Sequence, residues 1–505
     1  MKNSSLRFVA TLIVVLAAAI SSPAVVLAQS NTKLGSGALA SVTTGTNNTA
    51  LGFNALNADT TGGGNTACGA SALKGNVGGN NNTATGESAL SSNTSGGANT
   101  AIGRRALAAN TTGGGNSATG LNSLRTNTTG SDNTATGLDA LQFNTSGASN
   151  TGTGSQALRF NTTGIFNTAD GASALILNTT GVSNTATGAF ALFNNTTGGN
   201  NAADGASALR SNTTGNLNTA SGDSALTSNT IGVSNTAGGS SALFNNTSGN
   251  NNTATGAKAL FSNTTAVQNT ADGAQALLKN TTGSFNTAVG LQALFNNTTG
   301  QTNAALGFQA GFNLTTGKNN IHIASLGLST DTGTIRIGLQ GTQTQTFIAG
   351  IAGTAVTGSD VVVNGSGKLG VVISSARYKR DINDKGDSTE GLMKLHPVTF
   401  RYKDDPQAIK QYGLVAEEVY RVYPELVVHD DDGKVQSVRY SMLTSMLLNE
   451  LQKETRKNKE QAAQIEQLRR QVEKIARLEA RLARLEQERA AQGGNRDLAA
   501  AFDPR

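Results

Sequence analysis

A glycine that recurs every 17 residues constrains the fold of this chain more than any other feature. It stands at 16 successive positions from Gly52 to Gly307, without one insertion. The unit follows the pattern Asn-Thr-Ala-x-Gly-x-x-Ala-Leu-x-x-Asn-Thr-Thr-Gly-x-x, as in residues 167–183. A unit this short with two glycine turns has room for two short extended stretches but not for a pair of helices. The repeat therefore predicts a mainly β fold, in which each unit forms one coil of a parallel β-solenoid (β-roll).

Composition agrees with stacked coils. The chain has 61 Gly, no Trp and 4% aromatic residues, which is too few large apolar side chains for one ordinary globular core. Proline is absent from residues 24–396, as a continuous backbone ladder requires. In each coil one leucine, such as Leu175, is expected to stack on the next, while asparagine side chains form ladders at the turns. Because small Ala and Gly residues leave little else to bury, we expect other copies in a homotrimer to complete the core.

The repeats over residues 35–317 resemble the YadA-like head repeats of trimeric autotransporter adhesins. Those repeats also place small residues and a glycine in every coil, although the unit here is longer. The resemblance implies a trimeric β-roll.

The charge pattern argues against a nucleic-acid-binding protein. Net charge is +6, but residues 375–505 hold 24 Lys and Arg against 22 Asp and Glu, so no basic face is concentrated there. Cys68 is the only cysteine, so no internal disulfide can form. We see no zinc spacing, no phosphate-binding loop and no cofactor motif.

Residues 1–28 have the pattern of a secretory signal peptide. Lys2 and Arg7 precede an apolar run at 9–20, and small residues end at Ala28. A membrane anchor is the alternative, although the run is short for a bilayer span. We predict a secreted or cell-surface protein with no membrane span after the leader is removed.

Further boundaries follow from changes in the pattern. The solenoid is predicted over 29–317, a β-rich neck over 318–373, a small α+β domain over 374–440, a helix over 441–489 and a flexible tail over 490–505. The neck has short alternating strands, which we expect to cap the solenoid. His322 stands between two isoleucines and is expected to be a strand residue rather than a ligand.

Ser374 and Lys379 mark the change from a glycine-rich part of the chain to a charged, tyrosine-bearing part. A serine hydroxyl is a weak nucleophile unless a base lies beside it, and a lysine amine is a base only when neutral. Burial or the nearby cations Arg377 and Arg380 would favour the neutral amine. Positions five apart face different ways on a helix or a strand. The pair can therefore meet only across a turn or between chains.

Five sequence blocks in this second part of the chain resemble the intramolecular chaperone domain of phage endosialidase tail spikes. The blocks are SSARYKRDI at 374–382, LHPVTFRY at 395–402, QYGLVAEEV at 411–419, YPELV at 423–427 and VRY at 438–440. The resemblance implies a domain that assembles three chains, guides the folding of the shaft before it and is released by cleavage beside the first serine.

By position, the resemblance makes Ser374 the nucleophile and Lys379 the base. His396 and Glu417 would join the site as supporting residues, together with Arg377. Ser375 occupies the place of the family's usual aspartate, which changes the charge beside the nucleophile. The alternative is a trimerisation module of the same fold that is retained rather than cleaved.

The region 441–489 has apolar residues at steps of three and four, which predicts a coiled coil. Its predicted seam runs through Leu448, Leu451, Thr455, Asn458, Ala462, Ile465, Leu468, Val472, Ile475, Leu478, Leu482 and Leu485. Gly493 and Gly494 are expected to break the helix.

These patterns favour a trimeric, adhesin-like fibre with a host-surface or glycan receptor. A second hypothesis is a ligand-binding ladder, for example an ice-binding face formed by stacked threonines such as Thr83 and Thr100. A polysaccharide hydrolase is a third, but the array lacks the paired acids and aromatic residues of such sites. Asn-x-Thr sequons recur in many coils, yet the same residues suit a turn ladder.

Overall fold

The computed structural model describes residues 30–349, 357–430 and 432–497, with side chains described as far as residue 491. The predicted leader at 1–28 lies outside the described residues, as do residues 498–505 of the predicted tail. The chain divides into two compact units, Met1–Val356 and Thr357–Arg505. Within the described ranges, no helix is both long and apolar enough to cross a membrane.

The first unit is a parallel β-solenoid of about 18 turns. Its described strands are β1 (Thr32–Leu34), β2 (Thr49–Leu51), β3 (Thr66–Cys68), β4 (Thr83–Thr85), β5 (Thr100–Ile102), β6 (Ser117–Thr119), β7 (Thr134–Thr136), β8 (Thr151–Thr153), β9 (Thr168–Asp170), β10 (Thr185–Thr187), β11 (Ala202–Asp204), β12 (Thr219–Ser221), β13 (Thr236–Gly238), β14 (Thr253–Thr255), β15 (Thr270–Asp272), β16 (Thr287–Val289), β17 (Ala304–Leu306), β18 (Ile321–Ile323) and β19 (Ile335–Ile337).

Each strand pairs in parallel with the next strand along the chain. Ala169 of β9 is aligned with Ala186 of β10, and the same register holds through β18. One of the two predicted extended stretches per coil forms a strand, whereas the rest of the coil consists of turns and bends. The ladder continues beyond residue 317, because β18 and β19, which were expected in the neck, pair with the coils before them.

The solenoid core is complete within one chain. In the coil that begins with β9, the side chains of Ala169, Ala174 and Leu175 are all fully buried, and this pattern recurs along the array. Full burial of a leucine side chain stabilises a fold by roughly 1.5–3 kcal/mol. The prediction that other copies complete this core is therefore wrong: narrow coils fill it with one leucine and two alanines each.

The tight corners require unusual backbone conformations. Leu175 and Ser173 have positive φ angles of 49° and 58°, and their counterparts in other coils are similar. A non-glycine residue in this region costs roughly 1–3 kcal/mol, which burial of the leucine side chain offsets. At Gly171, φ is 145° and a Cβ atom would lie 2.6 Å from the carbonyl carbon of Gly188. Only glycine fits that position.

Two asparagine ladders run through the turns. In the first ladder, Asn184 donates its backbone N–H to Asn167 Oδ1 at 3.0 Å. In the second ladder, Asn178 Nδ2 donates to Asn161 Oδ1 at 2.8 Å and to the Gly181 carbonyl at 3.1 Å. Asn178 begins an Asn-x-Thr sequon but is fully buried, with its amide group engaged. A glycan could not be attached there while the coil is folded.

The second unit begins with an antiparallel hairpin of β20 (Val361–Val363) and β21 (Leu369–Val371). Short 3₁₀ segments follow at Ala376–Tyr378, Gly386–Lys394 and Pro424–Leu426. Two further antiparallel pairs join β22 (Val398–Phe400) to β23 (Gln411–Gly413), and β24 (Val427–His429) to β25 (Val435–Val438). The helices are α1 (Ala416–Val422) and α2 (Tyr440–Asp497).

A small core holds this unit together. Val419 of α1, Leu426 and Val427 are almost fully buried and pack with Leu392 and Met446. Helix α2 therefore contributes its first turns to the core, after which its side chains are mostly exposed. The helix continues through Gly493 and Gly494, where a break was predicted, and ends at Asp497.

Candidate functional site

A short turn brings Ser374 and Lys379 together. The Tyr378 N–H donates to the Ser375 carbonyl and the Lys379 N–H donates to the Ala376 carbonyl, each at 3.0 Å. These bonds close the 3₁₀ segment Ala376–Tyr378, which reverses the chain between the two residues. Lys379 Nζ then lies 3.0 Å from Ser374 Oγ and donates a hydrogen bond to it.

This contact has the length that proton transfer needs. A lysine that activates serine must be neutral, so that it accepts the hydroxyl proton rather than donating one. Ser374 and Lys379 are both exposed to water in the single chain. Chemistry at this pair therefore requires that water be excluded from it.

The side chains of Arg377 and Arg380 contact residues other than Ser374 and Lys379. Ser375 precedes the 3₁₀ segment and makes no capping bond with its side chain. The Arg377 guanidinium lies over the Tyr378 ring, 4.7 Å from its centroid. Arg380 Nε is 3.9 Å from Asp381 Oδ2, and both side chains are almost fully exposed. The two arginines thus add positive charge near Lys379 without burying it.

Within the described part of the chain, His396 and Glu417 form no hydrogen bond or ion pair with this turn. His396 Nδ1 lies 3.7 Å from Glu418 Oε2. Glu417 is exposed in the first turn of α1. His396 and Glu418 thus form a contact of their own, and the supporting roles of His396 and Glu417 stay predictions.

Sequence reasoning missed a polar cluster that joins Gly386–Lys394 to helix α2. Thr389 is fully buried and its hydroxyl donates to Glu450 Oε1. Asn449 Nδ2 donates to Thr389 Oγ1 at 2.6 Å and to the Gly386 carbonyl at 2.9 Å. These residues are about 60 positions apart and form no short motif, so no local sequence signal could have identified them.

Charges complete the cluster. Lys453 Nζ lies 3.2 Å from Asp387, 3.4 Å from Glu390 and 3.3 Å from Glu450. The Thr389 hydrogen bond, with Lys453 beside it, lowers the pKa of Glu450. Burial acts against the Lys453 ammonium, but its three acidic partners outweigh burial and raise the pKa of Lys453. The cluster fixes the base of α2 to the domain that carries the serine.

Three of the sequence blocks meet at Tyr440. The Leu414 N–H donates to the Tyr440 hydroxyl at 2.9 Å. A Cβ atom on Gly413 would lie 2.7 Å from that hydroxyl and 3.1 Å from Phe400 Cε1. The glycine of the QYG block is thus required by the close approach of the phenylalanine and tyrosine.

Helix α2 exposes the apolar residues of the predicted coiled-coil seam. Each of the large seam residues is 52–66% exposed in the single chain. These residues are Leu448, Leu451, Ile465, Leu468, Val472, Ile475, Leu478, Leu482 and Leu485. A continuous apolar stripe at such spacing is typical of a helix that packs against other helices.

Cysteine and metal chemistry have little support in the described residues. Cys68 is a free, exposed thiol at the outward end of β3. No cluster of three or more His, Cys, Asp or Glu side chains in the described ranges is arranged to hold a metal ion.

Comparison with known proteins identifies one segment. Residues 374–428 match the family described as chaperone of endosialidase. No curated protein and no solved structure matches the chain. The order of a β-solenoid followed by this domain fits a tail-fibre-like trimeric module. Residues 374–428 are therefore similar to the chaperone-of-endosialidase family, and they follow a parallel β-solenoid.

Proposed function

We propose that this protein is an exported, trimeric, adhesin-like fibre whose C-terminal domain assembles the chains and then cuts itself away. The leader at 1–28 directs export, and the solenoid is the part displayed in a secreted or surface fibre that binds a host surface or glycan. The domain that begins at Ser374 acts as an intramolecular chaperone. Self-cleavage beside Ser374 releases it after assembly.

Trimer assembly is supported by the unpartnered stripe on α2. Side chains such as Leu468 and Ile475 are more than half exposed in one chain. Helices with this pattern gain stability by burying the stripe against copies of themselves. The polar cluster at Thr389 and Lys453 attaches the start of α2 to the chaperone domain. Association of the α2 helices would therefore also position the chaperone domains of the three chains.

The 3.0 Å contact between Lys379 Nζ and Ser374 Oγ carries the proposal of self-cleavage. In the reaction, a neutral Lys379 amine takes the hydroxyl proton while Ser374 Oγ attacks the carbonyl carbon of a peptide bond beside it. The amine of that bond leaves with the proton, which gives an ester. Water then hydrolyses the ester and regenerates the serine hydroxyl.

Assembly supplies the condition that the single chain lacks. A neighbouring chain packed over the exposed turn would exclude water from Lys379 and favour its neutral form. Arg377 and Arg380 would act in the same direction. Cleavage would then follow assembly rather than precede it.

A retained trimerisation module is the second candidate. The exposure of Ser374 and Lys379, together with the hydrogen bond that runs from the amine to the hydroxyl, favours an inactive pair in the isolated chain. Ser375 in place of the family's usual aspartate bears on the same question. In this case the uncut trimer would present the solenoid to its ligand.

Intact-mass analysis of the purified mature chain separates the two candidates. Self-cleavage predicts two fragments whose masses place the cut beside Ser374, and one uncut chain for Ser374→Ala. Lys379→Met should also remain uncut. Ser359→Ala is the matched control, because it removes an exposed serine hydroxyl outside the turn, and it should still yield two fragments. A single uncut mass for the parent chain would establish the retained module instead.

A further inference from the structure

The last coil of the solenoid contains a buried histidine that the proposed function does not use. His322 is the central residue of β18 and is aligned with Ala305 of β17. Its ring is fully buried, and neither Nδ1 nor Nε2 makes a hydrogen bond of good geometry. A buried polar group that lacks a good hydrogen-bond partner destabilises the folded state. The position is thus unlike the alanines that precede it.

A tight loop closes over this ring. The loop spans residues 324–334 between β18 and β19, where the step between aligned residues shortens from 17 to 14. A Cβ atom on Gly327 would lie 2.1 Å from His322 Cε1, so the loop backbone rests directly on the imidazole. Water has no room to solvate a charged ring there.

The acid beside the ring is already engaged. Arg336 of β19 donates from Nε and Nη2 to the two Asp331 carboxylate oxygens, at 2.6 and 2.7 Å. The Leu328 N–H also donates to Asp331, at 2.9 Å. His322 Nε2 is 3.7 Å from the same carboxylate, which is too far for a hydrogen bond. An imidazolium could gain this acid only by disturbing the bidentate pair.

The electrostatics of the coil agree with this geometry. Among the described residues, the charged groups that act on the His322 ring are Asp331 and Arg336. Burial lowers the pKa of His322; Asp331 opposes that effect, Arg336 adds to it, and a weaker contact with the Ser325 backbone opposes it. The hydrogen bond from Arg336 likewise lowers the pKa of Asp331. The folded coil therefore holds a neutral histidine beside an ionised aspartate.

We propose that His322 is an acid-sensitive latch, and that its protonation opens the terminal coil from β18 to β19 while the preceding coils stay closed. An unfolded histidine titrates near pH ~6.5. Since the folded coil disfavours the charged ring, the stabilising contribution is complete above that pH and is lost as the pH falls below it. Opening would uncover the edge of β18, to which another strand can pair.

Other titrating groups act outside this window or in the opposite direction. Asp331 would weaken the coil only as the pH falls through the range of an ordinary carboxyl group, near ~3.9, and below. Asp59, at the other end of the array, favours its protonated form in the fold and so gains stability in acid. Mild acid therefore isolates the contribution of His322.

Hydrogen exchange of the full-length protein, followed by mass spectrometry at about pH 7.5 and about pH 5.5, tests the latch. After correction for intrinsic exchange rates, peptides over 318–338 should lose protection in acid by up to about tenfold per pH unit. Peptides over 253–289 should not change. His322→Phe keeps an apolar ring and should abolish the acid response, whereas His429→Phe, at an exposed histidine, should leave it intact.

Two results would overturn the latch. One is equal protection of 318–338 at both pH values in the parent protein. The other is an acid response that persists in His322→Phe, because carboxyl groups would then be responsible. If His322→Phe does not fold, NMR titration of the three histidines in the parent protein decides. A pKa for His322 at or above that of a free histidine contradicts the proposal.

Discussion

Asp59 is the acidic end of the second asparagine ladder. The position is asparagine in the following coils, beginning with Asn76, whose Nδ2 donates to Asp59 Oδ1 at 2.7 Å. Asp59 is fully buried, and burial raises its pKa to about 6, although the hydrogen bonds from Asn76 and Gly62 act in the other direction. We expect Asp59→Asn to stabilise the first coils at neutral pH, by at most about 3 kcal/mol.

The sign of the pH dependence follows from the raised pKa. The stabilising contribution of Asp59 is complete below the pH at which an unfolded carboxyl titrates and is lost as the pH rises through about 6. Hydrogen exchange of the coils from β2 to β4 should show this trend in the parent chain and not in Asp59→Asn. Asp170→Asn, at an exposed strand position, is the control. An identical trend in both variants would rule out Asp59 as its source.

Asn195 tests how much the ladder contributes in the middle of the array. Its Nδ2 donates to Asn178 Oδ1 at 2.8 Å and to the Gly198 carbonyl at 2.9 Å, and its own Oδ1 accepts from Asn212. Asn195→Ala leaves buried partners unsatisfied and should lower the free energy of unfolding by about 1–3 kcal/mol. Asn194→Ala, at the adjacent half-buried position, should change it much less. Chemical denaturation followed by circular dichroism measures both, and equal losses would count against the ladder.

Individual side-chain partners were the hardest features to predict. Residue spacing left two ways for Ser374 and Lys379 to meet, and in the described chain they meet across a turn. The contact between His396 and Glu418 could not be predicted, because no short motif links the two residues. The sequence also gave no sign that Asp331 and Arg336 close over His322, since the glycine register has ended there.

At the level of elements, periodicity predicted the coils well. A fixed unit length forces each leucine onto the next, so the stacking of the leucine column and the asparagine ladders are confirmed. Periodicity could not predict how many strands each coil contains. Residues such as Leu175 adopt a left-handed backbone conformation, which forms a corner where an extended stretch was expected. Secondary-structure propensities describe isolated segments, whereas each corner of this solenoid is stabilised by the coils on either side of it.

The stripe on α2 gives a prediction at the same scale. We expect Ile475→Asp to abolish trimer formation, because it would place a charge in the centre of an apolar helix interface. Lys474→Asp is the matched control, since it introduces the same residue at the adjacent position, which is not part of the stripe. Sedimentation analysis of the full chain measures the mass of each variant. A trimer that persists in Ile475→Asp would show that the helices do not hold the chains together.

At the scale of the whole molecule, the two units differ in how much of their apolar surface one chain can bury. The solenoid fills its own core within one chain, as the burial of Leu175 and its counterparts shows. The second unit leaves its longest apolar surface exposed on α2. Burial against a partner would therefore stabilise the proposed chaperone domain more than it would stabilise the coils. Its guidance would consist of bringing three chains into register rather than completing the inside of each coil.

Cleavage should then depend on assembly, which gives a prediction for the molecule as a whole. Because Lys379 and Ser374 are exposed in one chain, the Ile475→Asp variant should stay uncut, although both residues remain in place. The Lys474→Asp variant should be cut as the parent is. Intact mass measured on size-separated fractions compares the two. Cleavage of the monomeric variant at the parent rate would mean that the turn around Ser374 suffices by itself, and that burial by a neighbouring chain does not activate the amine.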